Sequence, residues 1–202
     1  MNVRCIALAA QGEFMDIVKR VRGILLAPDI EWSEIAQEPG TPAYLFPNYV
    51  VYLAAIPALA GLIGASVIGV SAPPLGTIRA PLFAGLLAAV IGYLLSFVVV
   101  YAVAIIIDLL APKFGARKNF PNALKLTVYF HTPGWLAGIF LLIPGLRFLT
   151  ILGLYGVYLL WTGLPRLMKV PADKALGYMA SVVVCALVIG LAAVLIPQAL
   201  VG

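Results

Sequence analysis

Two side chains stand where chemistry could be done inside apolar runs of this sequence. Asp108 ends a stretch that is uncharged from Ala80 onward. A carboxylate in that setting accepts a proton or a cation. Alternatively it sits at the end of its run and pairs with Lys113, Lys125 or a loop backbone amide. An acid at the centre of a membrane helix costs about 2.5–3.5 kcal/mol, and less near the surface. His131 is the single histidine, and Thr132 and Pro133 follow it. Pro133 removes one backbone hydrogen bond and can kink its helix, and a threonine or a neighbouring helix can satisfy the freed carbonyl. In an antiparallel hairpin of the two runs, Asp108 and His131 differ in depth by about 5–8 Å. Asp108, His131 and Thr132 therefore form a candidate intramembrane polar site, for a proton relay or a cation. The plainer alternative is a packing histidine held by hydrogen bonds. One His and one Asp are too few ligands for zinc, so no metal is expected.

Other catalytic constellations are missing. Cys5 and Cys185 are far apart, and no second acid lies within the apolar runs, so no metalloprotease or thiol-redox motif can be built. Nothing around Ser66 or Ser96 resembles a nucleophile elbow. No enzyme activity, catalytic residue or cofactor is expected.

The elements that must position these residues are membrane helices. Of 202 residues, 63% are hydrophobic and only 10% are charged, against about 25% charged in an ordinary soluble domain. Mean hydropathy is +1.09. Such a chain cannot cover its surface in water, which excludes a disordered chain, a coiled coil, a nucleic-acid-binding domain and a soluble enzyme. A spanning helix needs about 20 mostly apolar residues. Five runs qualify: Asn48 to Val70, Pro81 to Ala111, Ala123 to Ile143, Leu146 to Met168 and Ala175 to Leu200. They are continuously apolar, without the alternation of barrel strands. The expected fold is all-α: a polytopic membrane protein with a bundle of five transmembrane helices (48–202), preceded by a cytoplasmic region with interfacial helices (1–47).

Charge sets the orientation. Eleven of the thirteen basic residues fall on one side of a five-span chain. They lie in the N-terminal region, in the loop with Lys113, Arg117, Lys118 and Lys125, and around Arg166, Lys169 and Lys174. Only Arg79 and Arg147 lie opposite. This predicts a cytoplasmic N-terminus and an external C-terminus, and it accounts for the net charge of +5 without nucleic acid. Residues 1–47 hold six of the eight acids. Met1 to Phe14 has an apolar run, Cys5 to Ala10, too short for a secretory core, and Met15 is a second candidate start. From Asp16 the pattern is helical, with Ile17, Val21, Ile24 and Leu25 on one side and Lys19, Arg20 and Arg22 on the other. Those three bases are expected at anionic headgroups. Pro28 stops this helix. A second short one carries Trp32 as an interfacial anchor.

Small residues recur every four positions: Gly61, Ala65 and Gly69 in the first run; Ala88, Gly92 and Ser96 in the second; Gly134 and Gly138 in the third; Gly177, Ser181 and Cys185 in the fifth. Such rows let helices approach closely in lipid. They are expected to pack the bundle, with any outward row serving as a dimer face.

Several segments resemble one family. "IVKRVRGILLAPDIEWSEIAQEPG" and "YVVYLAAIPALAGLIG" are similar to the start of bacterial members of the Yip family, the Ypt/Rab-interacting membrane proteins. "IIIDLLAPKFGARKNFPNALKLTVYFHTPGWLAGIFLLIPGL" resembles the family's Asp-Leu-x-x-Pro segment, and "LYGVYLLWTGLPRLMKVPADKALGY" resembles the region after its fourth span. The resemblance covers roughly residues 15 to 200. It implies a five-span membrane protein with a cytoplasmic N-terminus, in the bacterial inner membrane. Eukaryotic members bind prenylated GTPases, but in a bacterium no small GTPase is expected as partner.

Together these features predict a non-enzymatic scaffold or adaptor. Its expected partners are membrane lipids, further copies of itself and other membrane proteins. The alternatives are a small oligomeric transporter or channel using Asp108 and His131, and a lipid-binding or membrane-shaping protein.

Overall fold

The computed structural model describes residues 16–71 and 76–201. The expectations placed on Met1 to Phe14 and on Met15 lie outside them. The Asp16 carboxylate accepts from Lys19 N at 3.0 Å and so starts the first helix, α1 (Ile17–Leu26). Pro28 then opens α2 (Pro28–Ile35), since a first-turn proline gives up a donor that would have no partner anyway. Thr41 is extended and Pro42 opens α3 (Pro42–Ile68), which has π-helical turns over Phe46–Val50 and Ile63–Ile68. Gly69, at φ 82°, ends it and leads into a two-residue ribbon that pairs Val70 with Ile78 and Ser71 with Thr77.

The return helix is α4 (Leu82–Phe114), closed by Gly115 in the left-handed conformation, the usual glycine stop. Asn119 caps α5 (Phe120–Phe130) by accepting from Asn122 N at 3.1 Å. A break at His131 separates it from α6 (Thr132–Ala137), and a 3₁₀ turn, Gly138–Leu142, continues the path. Then come α7 (Pro144–Met168), whose first part to Leu154 is 3₁₀, and α8 (Ala172–Val201).

Among the described residues four helices are long and apolar enough to cross a membrane: α3, α4, α7 and α8. The expected third run is not one helix. Pro133 cannot donate to the carbonyl four residues back, and the ladder breaks beside it. The α5–α6 path nevertheless runs alongside α3 in the same direction. Tyr49 meets Thr132, Pro57 faces Gly138, and Gly64 lies against Leu141. α4 is antiparallel to α3, with Tyr93 donating to Val51 O at 3.1 Å and Phe97 stacked on Phe46. α7 is antiparallel to α5, with Asn122 donating to Leu167 O at 2.9 Å. α8 is antiparallel to α4, with Tyr178 donating to Ile107 O.

The core is shared by the bundle and the N-terminal hairpin. Ile24, Trp32 and Ile35 are buried in one cluster with Tyr49, Tyr129 and Leu159. The outer surface is apolar, from Phe83 on α4 (79% exposed) to Leu187 and Val188 on α8, as lipid-facing helices require.

Candidate functional site: a buried charge cluster and a small-residue cavity

The N-terminal hairpin is fixed to the bundle by charge. Arg20 is on the inward face of α1, one turn before Ile24. Its guanidinium donates to Glu31 at 2.5 Å and to Glu38, and its Cζ stands 5.8 Å from the centre of the Tyr129 ring. Burial works against this charge, but Tyr129, Glu38 and Glu31 outweigh it, so the guanidinium is held more firmly protonated. Burial pushes the Glu31 carboxyl up from its ordinary value, and Arg20 pulls against that shift. Arg20 Nε and Glu38 Oε2 are buried without hydrogen-bond partners among the described residues.

Lys125 supports the same hairpin from α5. Its Nζ donates to Ile35 O, Ala36 O and Glu38 O at 2.9, 3.0 and 3.1 Å. Ile35 O and Ala36 O lie at the end of α2, where carbonyls run out of intrahelical partners and carry the negative end of the helix dipole, and Glu38 O lies just beyond; Ile35 O also accepts from Glu38 N at 3.2 Å. Trp32 is completely buried; its Nε1 donates to Thr162 Oγ1 at 3.1 Å and its ring stands edge-on to Tyr129. Tyr155 OH donates to Leu25 O at 2.9 Å.

Three expectations change here. Arg20 does not face headgroups. It pairs with two acids, because α2 folds back and brings Glu31 to its inward face; Lys19 and Arg22 remain exposed. Trp32 is a core residue, since Gly163 leaves room for its ring on α7. Lys125 is not a loop cation: α5 begins at Phe120 and carries it inside, whereas Lys113, Arg117 and Lys118 are exposed. Gly115 brings that basic loop against Pro171 of the α7–α8 connection and Lys174 in the first turn of α8. The sequence signal for the cluster was the spacing of Ile17, Arg20 and Ile24, which puts the arginine on the apolar stripe.

The polar trio does not come together. Thr132 is buried and shares a hydrogen bond of 2.9 Å with Tyr49 OH. His131 donates from Nδ1 to Thr127 O at 2.7 Å, because a carbonyl can only accept, and its ring lies beside Phe130 and Trp135. Asp108 is at the other end of α4, beside Tyr178, and its Oδ1 is buried without a partner among the described residues. It pairs with neither Lys113 nor Lys125. Thr132 meets Tyr49, which is level with the stretch of α4 between Tyr93 and Phe97; Asp108 is at least eleven residues further along that helix, about 16 Å or more by helical rise. The depths differ by more than an ideal hairpin implies because α4 projects past the start of α5, where Tyr101 packs on Phe120.

The small residues also take unexpected places. Gly69 is a turn residue beyond the end of α3, not a packing position. Gly138 does pack closely: a Cβ there would come 2.5 Å from Pro57 Cβ. Gly134 lies against Gly153, near the end of the 3₁₀ part of α7. Gly61, Ala65 and Gly92, however, line a cavity of about 780 Å³ between α3, α4 and α8. A Cβ added at Gly92 would meet nothing within 4 Å. A row of small residues permits close approach but does not enforce it.

The Yip1 domain family matches residues 22–194. An Escherichia coli (strain K12) protein described as inner membrane protein YohC is 26% identical over 168 residues, covering 81% of this chain and 86% of that protein. Its counterpart in E. coli O6:H1 (strain CFT073) gives the same figures. No solved structure gives a significant match.

Proposed function

This chain belongs to the Yip1 domain family, and on that premise we propose that it is a non-enzymatic scaffold of the bacterial inner membrane. The relatives described as inner membrane proteins support the location. The observation that carries the role is where the charges are. The buried Arg20, Glu31 and Lys125 are committed to holding the hairpin, and Asp108 and His131 are apart. What remains free is an exposed basic surface of Lys113, Arg117, Lys118, Lys169 and Lys174, suited to anionic headgroups or to an acidic partner. The separation of Asp108 from His131 leaves the transport reading without the pair that motivated it.

The chain crosses the membrane five times, with α5, α6 and the turn to Leu142 together making the third crossing. The alternating helix directions support this count. The N-terminus is then cytoplasmic and the C-terminus external. The hairpin lies at the interface, with Val18, Leu26 and Ile30 exposed towards lipid. Cross-linking in membranes followed by native mass spectrometry tests the scaffold role: oligomers or co-purifying proteins are expected, and a strict monomer without partners refutes it. Impermeant maleimide applied to intact cells tests the orientation. It should label Arg147→Cys and spare Lys118→Cys.

A further inference from the structure

The cavity between α3, α4 and α8 has the shape and chemistry of a ligand site. On α4 it runs from Pro81 to Val99, about 27 Å by helical rise. A volume of about 780 Å³ along that length leaves room for an extended hydrocarbon chain. No charged side chain lines the cavity among the described residues. A phospholipid headgroup would find no counter-charge inside.

Two lining side chains keep open polar atoms among the described residues: Trp135, whose indole N–H is a donor, and His131. The hydroxyls of Tyr93 and Ser96 are engaged with Val51 O and Tyr93 O. His131 is different. Its Nδ1 carries the proton donated to Thr127 O. With no carboxylate lining the cavity, a charged imidazolium there would be uncompensated, so the ring is neutral. Nε2 is then a bare acceptor, and it has no partner among the described residues. An acceptor at the inner end of a long apolar slot calls for a donor on an otherwise apolar molecule.

We propose that this cavity binds an uncharged lipid alcohol, with its hydroxyl donating to His131 Nε2 and its hydrocarbon body lying along the glycine and alanine walls of α3, α4 and α8. This goes beyond the scaffold reading and does not depend on it. Two sources share the chemistry, a diacylglycerol and a polyprenol. The two walls of the slot set its capacity, and the hydroxyl sets its polarity.

The full-length protein in nanodiscs tests this, with native mass spectrometry reading occupancy. The probes are dioleoylglycerol and geranylgeraniol, each against its acetate ester, which keeps the chain and removes the donor. The alcohols should bind about three- to tenfold more tightly than their acetates, the worth of one hydrogen bond. His131→Leu should remove that preference while leaving acetate binding unchanged. Gly92→Leu fills the slot from a position with open space around it, and it should abolish binding of all four. The tighter of the two alcohols identifies the source. Equal binding of alcohol and acetate to the native protein overturns the hydrogen bond. Undiminished binding to Gly92→Leu overturns the location, and binding of no probe overturns the site.

Discussion

The two sides of this bundle are packed by opposite means. Where α1 and α2 meet α5 and α7, large side chains fill the space and polar groups join the elements: Trp32, Tyr49 and Tyr129 are completely buried, and Arg20 and Lys125 bind acids and carbonyls from other elements. Where α3 and α4 meet α8, glycine and alanine predominate and the helices stand apart around a cavity. Lipid tails are as apolar as leucine, so burial of apolar surface gives little drive for helices to associate in a membrane. Association must come from close fit or from polar links. The hairpin side has both. The cavity side has them at separate points, where Tyr93 donates to Val51 O, Tyr178 donates to Ile107 O and Gly85 approaches Ser66, and the slot lies open between them.

If the hairpin side is held by charge, breaking that charge should have the largest effect. Arg20 and Glu31 side chains are only 10% and 11% exposed. Arg20→Met leaves Glu31 and Glu38 without their cation and should destabilise the protein by about 3–5 kcal/mol, measured by reversible unfolding in mixed micelles. Amides of residues 17–35 should lose hydrogen-exchange protection while those of α8 keep theirs. Adding Glu31→Leu should recover part of the loss, because the more buried of the two unpaired charges goes with it. Lys125→Met comes next. It leaves Ala36 O and Glu38 O without their donor and Ile35 O with only Glu38 N, at about 2–3 kcal/mol, and cleavage by added protease between residues 36 and 41 should rise in step.

The sequence made one side far more legible than the other. Apolar runs place α3, α4, α7 and α8 to within a few residues, because a bilayer tolerates little else over such lengths. Pro133 signalled a kink, but a missing donor can bend a run or divide it into two helices, and its position in the sequence does not say which. The N-terminal region shows the other limit. Basic residues beside a membrane run read as interfacial, and Lys19 and Arg22 are indeed exposed. The turn at Ala27 brings Glu31 under Arg20, and that pairing between two helices leaves no trace in the periodicity of either. Spacing likewise could not tell which small residues touch a neighbour. Gly138 meets Pro57 and Gly92 meets nothing, although both were read as packing positions.

That last pair of outcomes gives the finest test of the contrast. Alanine is the smallest addition a glycine can take, so it reports space almost alone. On the hairpin side, a Cβ at Gly163 would come 2.6 Å from Leu126 Cδ1 and 2.8 Å from the Trp32 ring. Gly163→Ala should therefore cost about 2 kcal/mol through overpacking, and Trp32 should lose its hydrogen bond to Thr162. On the cavity side, Gly92 sits within a helix with nothing within 4 Å of the new methyl group. Gly92→Ala should stabilise the protein by about 0.5–1 kcal/mol, because alanine loses less backbone entropy in a helix than glycine. The two substitutions are chemically identical, and opposite signs in the same unfolding measurement are expected. A cost at Gly92 comparable to that at Gly163 would mean that α3, α4 and α8 close on one another in the membrane, and the contrast between the two sides would fail at that position.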